Sequence, residues 1–558
     1  MGLRHSKWIN KEHGMQFTHG GELVARQLAA QEVEIIYTLC GGHVAPIYEG
    51  CLNNGIRVID FRHEQAAGHA ADAHARLTRN IGVALVTAGP GVTDAVTAVA
   101  NAWQARSPMI LLGGAAPLKT KGMGALQEMP QTPMFETFTK ASFTIERTEE
   151  IPEKLHWAFE MALNGRPGPV FVELPFDILF NAIDPVETWP KVETEPIEPP
   201  ISDLQRMFEL LRAAQKPLLI AGTQVYWDEA HEALRTLTEQ TGMPVFTNGA
   251  GRGTLPMTHP HCFKHSRSKA LRSADVVLLI GTPLDFRLKY GREGWNPEAK
   301  LIQVENDPAE LNKNRPAEVA MVANARLVLE ALAEGLQGIR YDEWLRVVME
   351  MEAKKKAQLA EWQALDDVPV NHFRMGAAIN EFVDEETILI GDGGDIVSAC
   401  AKVIDLVRPG QWLDPGPLGC LGVGAPFAIA AQLLFPEKRV LIIHGDGSFG
   451  LNGFEFDTAV RFHLPIVSIV GNDAGWGQIR GPQIQMVGRE RAIATSLAPT
   501  RYDKVVEALG GYGELVEQPE EIGPALARAF ASGKPACVNV MLDPEGMAKT
   551  GASMPYIV

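Results

Sequence analysis

Cysteine is scarce and scattered. Cys40, Cys51, Cys262, Cys400, Cys420 and Cys537 are the 6 cysteines in 558 residues, and no two form a C-x-x-C pair. That excludes a disulfide framework or a structural zinc site and fits a reducing compartment, so a cytoplasmic location is expected. Nowhere do apolar residues run on for the roughly 18 that a spanning helix needs, so no membrane association is expected. Basic residues are outnumbered: 51 Lys and Arg stand against 68 Asp and Glu, a formal net charge of −17. Nucleic acids and anionic membranes select basic surfaces, so neither is expected as a partner. Residues 1–14 are polar and lack the apolar core of a secretory signal. Met1-Gly2 through Ser6 fits the loose N-myristoylation pattern, and a disordered lead ahead of Met15 is the plainer reading.

What is present reads as a soluble globular chain, 46% apolar and 21% charged. At roughly 100–200 residues per domain it should hold about three. Ile81 to Thr87 is strand-like, Ala88-Gly89-Pro90-Gly91 is a turn, Val92 to Arg106 has helical spacing, and Met109 to Gly113 is strand-like again. Strand, helix, strand in that order predicts parallel βαβ units. Pro185 to Ile201 is rich in Pro, Glu and Thr and reads as a linker. Beyond it, Pro217 to Ala221, Val276 to Ile280 and Leu301 to Glu305 are candidate buried strands, and the charged stretch Trp344 to Trp362 reads as a solvated helical connector. A last region offers strands at Ile388 to Ile390, Val440 to His444, Ile466 to Val470 and Cys537 to Met541. The expected class is α/β, with three open, mainly parallel-sheet domains over residues 1–185, 202–345 and 368–558.

The strongest chemical signal is the strand Val440 to His444 running into Gly445-Asp446-Gly447-Ser448, with a helical stretch expected from about Gly453 to Phe462. A second strand ends at Gly471-Asn472-Asp473-Ala474-Gly475-Trp476-Gly477. Open α/β sheets bind ligands at the carboxyl ends of their strands, and glycine lets backbone approach a ligand closely. Two oxygen ligands from adjacent strand ends, with phosphate oxygens, can complete a Mg²⁺ octahedron. In the first region, Asp60-Phe61-Arg62-His63-Glu64-Gln65-Ala66-Ala67 carries a strand-like run into a small-residue helix. Taken alone, Glu64 is either a first-turn helix acid or a functional carboxylate.

Together these stretches resemble the thiamine-diphosphate enzymes along nearly the whole chain, in the order pyrimidine-binding, central and diphosphate-binding domain. The resemblance implies Mg²⁺ held by Asp446, Asp473 and the carbonyl of Gly475. The ligand position usually carries Asn, so Asp473 is a departure that adds negative charge. It implies that Gly394, Asp395, Gly445, Gly447, Ser448, Trp476 and Gly477 border the cofactor, with Asp395 open to turn toward substrate instead and Trp476 also placed to cover the substrate. In the R-H-E pattern it makes Glu64 the partner of N1′ of the aminopyrimidine, a role that partial burial of the carboxyl would suit. Within Gly416-Pro417-Leu418-Gly419-Cys420-Leu421-Gly422, Leu421 matches the apolar wedge between the coenzyme's two rings, and the Gly419 carbonyl the acceptor for its 4′-amino group. Sites of this family lie between two subunits, so a homodimer or homotetramer is expected.

Other residues narrow the reaction. Leu39-Cys40-Gly41-Gly42-His43 resembles the Gly-small-His turn of benzaldehyde lyase, and Gln127 an active-site glutamine of lyases and acetolactate synthases. Ile479 to Arg491 reads as a loop over the substrate, and its Glu490 as either a mobile acid/base or a solvated charge. Gly281-Thr282-Pro283-Leu284-Asp285-Phe286-Arg287 resembles the stretch that touches FAD in acetolactate synthases or ADP in oxalyl-CoA decarboxylases, leaving a central-domain nucleotide open. The tail Ser553 to Val558 is apolar enough to close over a long ligand. The leading expectation resembles 2-hydroxyacyl-CoA lyase, which cleaves its substrate to formyl-CoA and an aldehyde or ketone. An acetolactate synthase-like carboligase acting on pyruvate is second and a benzaldehyde lyase-like enzyme third. The substrate is thus a small molecule, an acyl-CoA or a 2-oxo acid. A non-catalytic thiamine-diphosphate binder is the alternative of another class, and retention of Glu64 argues against it.

Overall fold

Three six-stranded sheets, each wholly parallel, carry the chain in the computed structural model, which describes residues 18–550. The myristoylation pattern, the lead before Met15 and the tail Ser553 to Val558 lie outside the described residues. By contact the chain divides into two units. One takes Met1–Thr194 with Pro415–Leu434 and Asn452–Phe462, and the other takes the remainder.

In the first unit the strands lie in the order Arg57–Asp60, Ile35–Thr38, Gly82–Val86, Met109–Ala115, Val170–Pro175, Ala141–Thr144. Most of these strands are buried runs of Val, Ile, Leu, Ala and Phe, as a parallel sheet covered on both faces requires. Numbered as they occur in sequence, the order is second, first, third, fourth, sixth, fifth. The helix Glu64–Thr78 packs on Pro90–Ala105 and on Gly424–Leu434. Its small residues make that possible: a Cβ at Gly68 would stand 2.6 Å from the Ala98 methyl.

In the second unit the central sheet runs Cys262–Phe263, Val245–Thr247, Pro217–Ala221, Val276–Ile280, Lys300–Glu305, Val319–Val322. Its order is third, second, first, fourth, fifth, sixth. The other sheet runs Trp412–Leu413, Thr387–Asp392, Arg439–Gly445, Val467–Asn472, Ala536–Met541, Tyr512–Val516, and repeats the winding of the sheet in the first unit.

Several sequence expectations are corrected. The helix after the Gly-Asp-Gly turn does not wait for Gly453. It begins at Asp446, runs to Asn452, and a second segment follows at Glu455–Arg461. Residues 479–491 are mostly helix rather than loop, within Gly477–Val487, with Pro482 inside. The connector helix Asp342–Gln363 is not solvated all round, since Trp344, Leu345, Val348, Glu352 and Leu359 are buried. Glu352 accepts from the backbone N–H groups of Lys264, His265 and Ser266 at 2.8–3.2 Å and so caps the helix Arg267–Ser273.

Candidate active site

In open parallel sheets a crevice opens at the carboxyl edge wherever the winding reverses, between the first and third strands of this order. In the first unit those strand ends deliver Leu39 to His43 and Thr87 to Gly91. Gly89 has φ +61°, which favours glycine, and its N–H donates to Oε1 of Gln131 at 2.7 Å. The Gln131 amide donates to the Gly114 carbonyl at 3.0 Å and to Glu173 at 2.9 Å, so the turn is locked from below.

Glu64 is the first residue of its helix and is buried. His63 ahead of it caps the helix, its Nδ1 accepting from the Gln65 N–H at 3.1 Å. A Cβ at Gly91 would lie 2.9 Å from Thr87 Cγ2 and 3.4 Å from Glu64 Oε1, so glycine there keeps the carboxylate and the strand end side by side. Burial, with the Asp94 charge nearby, raises the Glu64 pKa. His43 is buried too. Its Nδ1 lies 3.3 Å from the Thr87 hydroxyl, its ring bonds the Leu126 carbonyl, and burial lowers its pKa. Gln127 follows that carbonyl in a left-handed conformation, and its Cβ and carbonyl back the position of Gly89. Glu64, His43, Thr87 and Gln127 therefore gather around one turn. In the same unit Leu421 is half-buried between Gly419, at φ +68°, and Gly422, whose carbonyl accepts from Asn452 Nδ2 at 2.7 Å.

In the second unit the reversal lies between the strands ending at Asp392 and Gly445. Gly393-Gly394-Asp395 and Gly445-Asp446-Gly447-Ser448 leave those ends. The Ser448 hydroxyl donates to the Asp392 carbonyl and accepts from the Gly445 N–H at 3.1 Å, which ties the two strand ends together. Asp446 accepts from Gly447 N at 2.9 Å and, through its other oxygen, from Gly475 N at 3.0 Å. Burial raises its pKa. Burial also pushes Asp473 up to about 7, with the neighbouring Asp446 charge adding to it. Arg480 opposes this by donating to Asp473 at 2.7 Å. A Cβ at Gly477 would fall 2.7 Å from Asp473 Oδ2 and 3.2 Å from Asp395 Oδ2, so those carboxylates face one another across it. Gln478 covers Gly394, and the Trp476 ring lies against Gly447. Glu490 is exposed in the short turn Arg489–Arg491.

Asp446 and Asp473 are buried carboxylates at neighbouring strand ends, and oxygen donors of that kind suit Mg²⁺ or Ca²⁺ and not a thiolate-seeking metal. Among the described residues no group of three His, Cys, Asp or Glu side chains is arranged around a metal position. The guanidinium of Arg480 stands on Asp473 as a cation would. The residues fit the group. Sequence reasoning passed over Arg480, Thr87, Gln131 and Glu455. Thr87 alone carried a signal, its place at a strand end.

Comparison with known proteins places one family along most of the chain. Residues 18–134 match the N-terminal TPP binding domain of thiamine pyrophosphate enzymes, 204–332 their central domain and 392–540 their C-terminal TPP binding domain. A protein of Mycobacterium bovis named probable acetolactate synthase is 40% identical over 534 residues, 95% of this chain and 96% of the relative. Proteins named 2-hydroxyacyl-CoA lyase 2 are 37% identical in Caenorhabditis elegans, over 94% of this chain and 89% of the relative, and 37% identical in Homo sapiens, over 96% and 92%. Among the described residues no helix is long and apolar enough to cross a membrane. The chain belongs to the thiamine-diphosphate-dependent enzymes and acts on carbon–carbon bonds.

Proposed function

We propose that this enzyme cleaves a 2-hydroxyacyl-CoA to formyl-CoA and an aldehyde or ketone, with Mg²⁺ held by Asp446, Asp473 and the Gly475 carbonyl. The observation that carries the reading is the gathering of buried Glu64 and His43 with Gln127 around the turn Thr87 to Gly91. When bound, thiamine diphosphate supplies a carbon acid whose anion adds to a carbonyl and then holds the electron pair freed by bond cleavage. Glu64, its affinity for protons raised by burial, would be the residue to share a proton with the coenzyme's aminopyrimidine. His43 is kept neutral by burial and takes the proton of the substrate's 2-hydroxyl as the C1–C2 bond opens. The Gln127 amide orients the thioester oxygen. Leu421 and the Gly419 carbonyl would hold the coenzyme's ring portion, the one by apolar contact and the other as a hydrogen-bond acceptor. Gly394, Asp395, Gly445, Gly447, Ser448, Trp476 and Gly477 border the diphosphate, and Glu490 serves as an outer acid/base. A second copy of the chain completes each site, so the assembly is a dimer or tetramer. The division into regions 1–185, 202–345 and 368–558 goes with this reading.

A central-domain nucleotide, ADP or FAD, is supported by charge. Burial, together with neighbouring Arg252 and Arg287, lowers the pKa of Arg267, so three guanidiniums lie close together. Arg287 is paired with Asp285 at 2.6 Å and Arg252 with Asp414 at 3.1 Å. A phosphate is the ligand such a cluster accommodates.

The second reading is an acetolactate synthase-like carboligase, favoured by the Mycobacterium relative. Incubating the purified protein separately with a 2-hydroxyacyl-CoA, pyruvate and benzoin, and reading products by mass spectrometry, decides between them. Formyl-CoA is expected, and acetolactate without formyl-CoA would overturn the assignment.

A further inference from the structure

Glu455 lies on the segment Glu455–Arg461, in the same unit as Glu64 although far from it in sequence. Its two carboxylate oxygens accept from a single backbone donor, the N–H of Arg62, at 3.0 and 3.2 Å. The Thr458 hydroxyl donates to it at 2.6 Å. From the same segment Arg461 donates to the Asp60 carboxylate and to the Asp60 carbonyl, both at 2.8 Å, and Asp457 lies 3.6 Å from Arg62 Nη1. Asp60 ends the strand and Glu64 begins the helix, so the linking residues are gripped at the backbone from both sides. A buried carboxylate spent on one main-chain N–H is a costly arrangement for a mere packing contact. The grip falls where a shift of 1 Å would move Glu64 off its partner atom.

We propose that Glu455 is a positioning residue for the activating carboxylate: by clamping the Arg62 N–H it sets the start of the Glu64 helix, and with it the place where Glu64 meets the aminopyrimidine. The inference rests on the role proposed for Glu64. Burial raises the Glu455 pKa to about 7.

The test uses the full chain with Mg²⁺ and thiamine diphosphate, and reads exchange of the coenzyme's C2 proton into deuterated solvent by quenched-flow NMR. Coenzyme affinity is measured by fluorescence titration, and amide exchange of the Arg62 peptide without coenzyme. Glu455→Ala should slow C2 exchange about tenfold or more, as loss of alignment does. It should shift coenzyme affinity less than about threefold and speed exchange of the Arg62 amide. Glu455→Gln, which keeps one accepting oxygen, should recover most of the rate; should the alanine variant fail to fold, Glu455→Leu, which fills the space and accepts nothing, takes its place with the same expected loss. A folded Glu455→Ala enzyme with unchanged C2 exchange overturns the inference, as does a loss explained wholly by weaker coenzyme binding. Glu64→Gln runs in parallel. If it leaves C2 exchange unchanged the reading of Glu64 fails, whereas slow exchange in that variant and normal exchange in Glu455→Ala removes only the positioning role.

Discussion

Arg480 donates to Asp473 at 2.7 Å, a charge-assisted pair in which the cation stands beside the strand end expected to hold magnesium. Both come from the stretch after Asn472, and Asp395 and Asp446 add two further acids nearby. The guanidinium thus balances the negative charge that aspartate brings to a position usually held by asparagine. Replacing Asp473 by Ala should raise the Mg²⁺ concentration for half-maximal coenzyme binding about tenfold or more, because an oxygen ligand is lost at a hard-cation site. Titration calorimetry with Mg²⁺ at saturating thiamine diphosphate checks it, and an unchanged midpoint would remove Asp473 from the metal.

Replacing Glu64 by Gln should leave coenzyme affinity within a few-fold and reduce turnover by roughly 10²–10⁴-fold, the usual worth of a positioned proton-transfer group. Steady-state kinetics on whichever substrate proves active, with bound coenzyme quantified, reads the two effects apart. A turnover loss that tracks lost coenzyme would mean that Glu64 binds and does not activate.

Glu455 gives stability a pH dependence with a definite sign. Its pKa rises from 4.5 to about 7 on folding, so between those values the native state holds a proton that the unfolded chain releases. The contribution is whole below the lower value, falls as pH climbs, and is gone above the upper one, a change of about 3 kcal/mol at most. Urea unfolding of wild type and Glu455→Gln at pH 5 and pH 8 should show the glutamine variant gaining on wild type at the higher pH. A difference that stays flat between the two would contradict the buried, proton-holding Glu455.

Gly447→Ala should destabilise by about 1–3 kcal/mol, the usual cost of overpacking. The added methyl would lie 2.5 Å from the Trp476 ring. Shrinking the ring with Trp476→Leu should return part of the loss, which thermal unfolding of the single and double variants would show. Strictly additive losses would mean that the two positions do not touch.

Buried strands were the most legible part of the sequence. Pro217–Ala221 and Val276–Ile280 end where their apolar runs end, because a central parallel strand has no polar face to blur its limits. Tyr512–Val516 escaped notice: it is an edge strand, mostly half-buried, carrying Gly513 and Glu514. The helix at Asp446 was hidden because Gly-Asp-Gly-Ser-Phe-Gly has poor intrinsic helicity, and bonds from Ser448 and to Asp446 hold that stretch in place. Glu64, Asp446 and Asp473 could be singled out from short motifs, and the structure finds all three buried. Glu455 and Arg480 could not, because their importance lies in partners: Arg62 stands 393 positions from Glu455, and no local pattern announces such a pairing.

The sheet in the first unit and the one ending in Tyr512–Val516 share a winding that their residues no longer betray. Buried parallel strands ask only for apolar residues, so two sheets can follow one path with little sequence in common. Beside its strand ends the first sheet has the buried acid Glu64, and the other the buried acids Asp446 and Asp473. A search for kinship between the two halves should therefore compare chain paths and not letters.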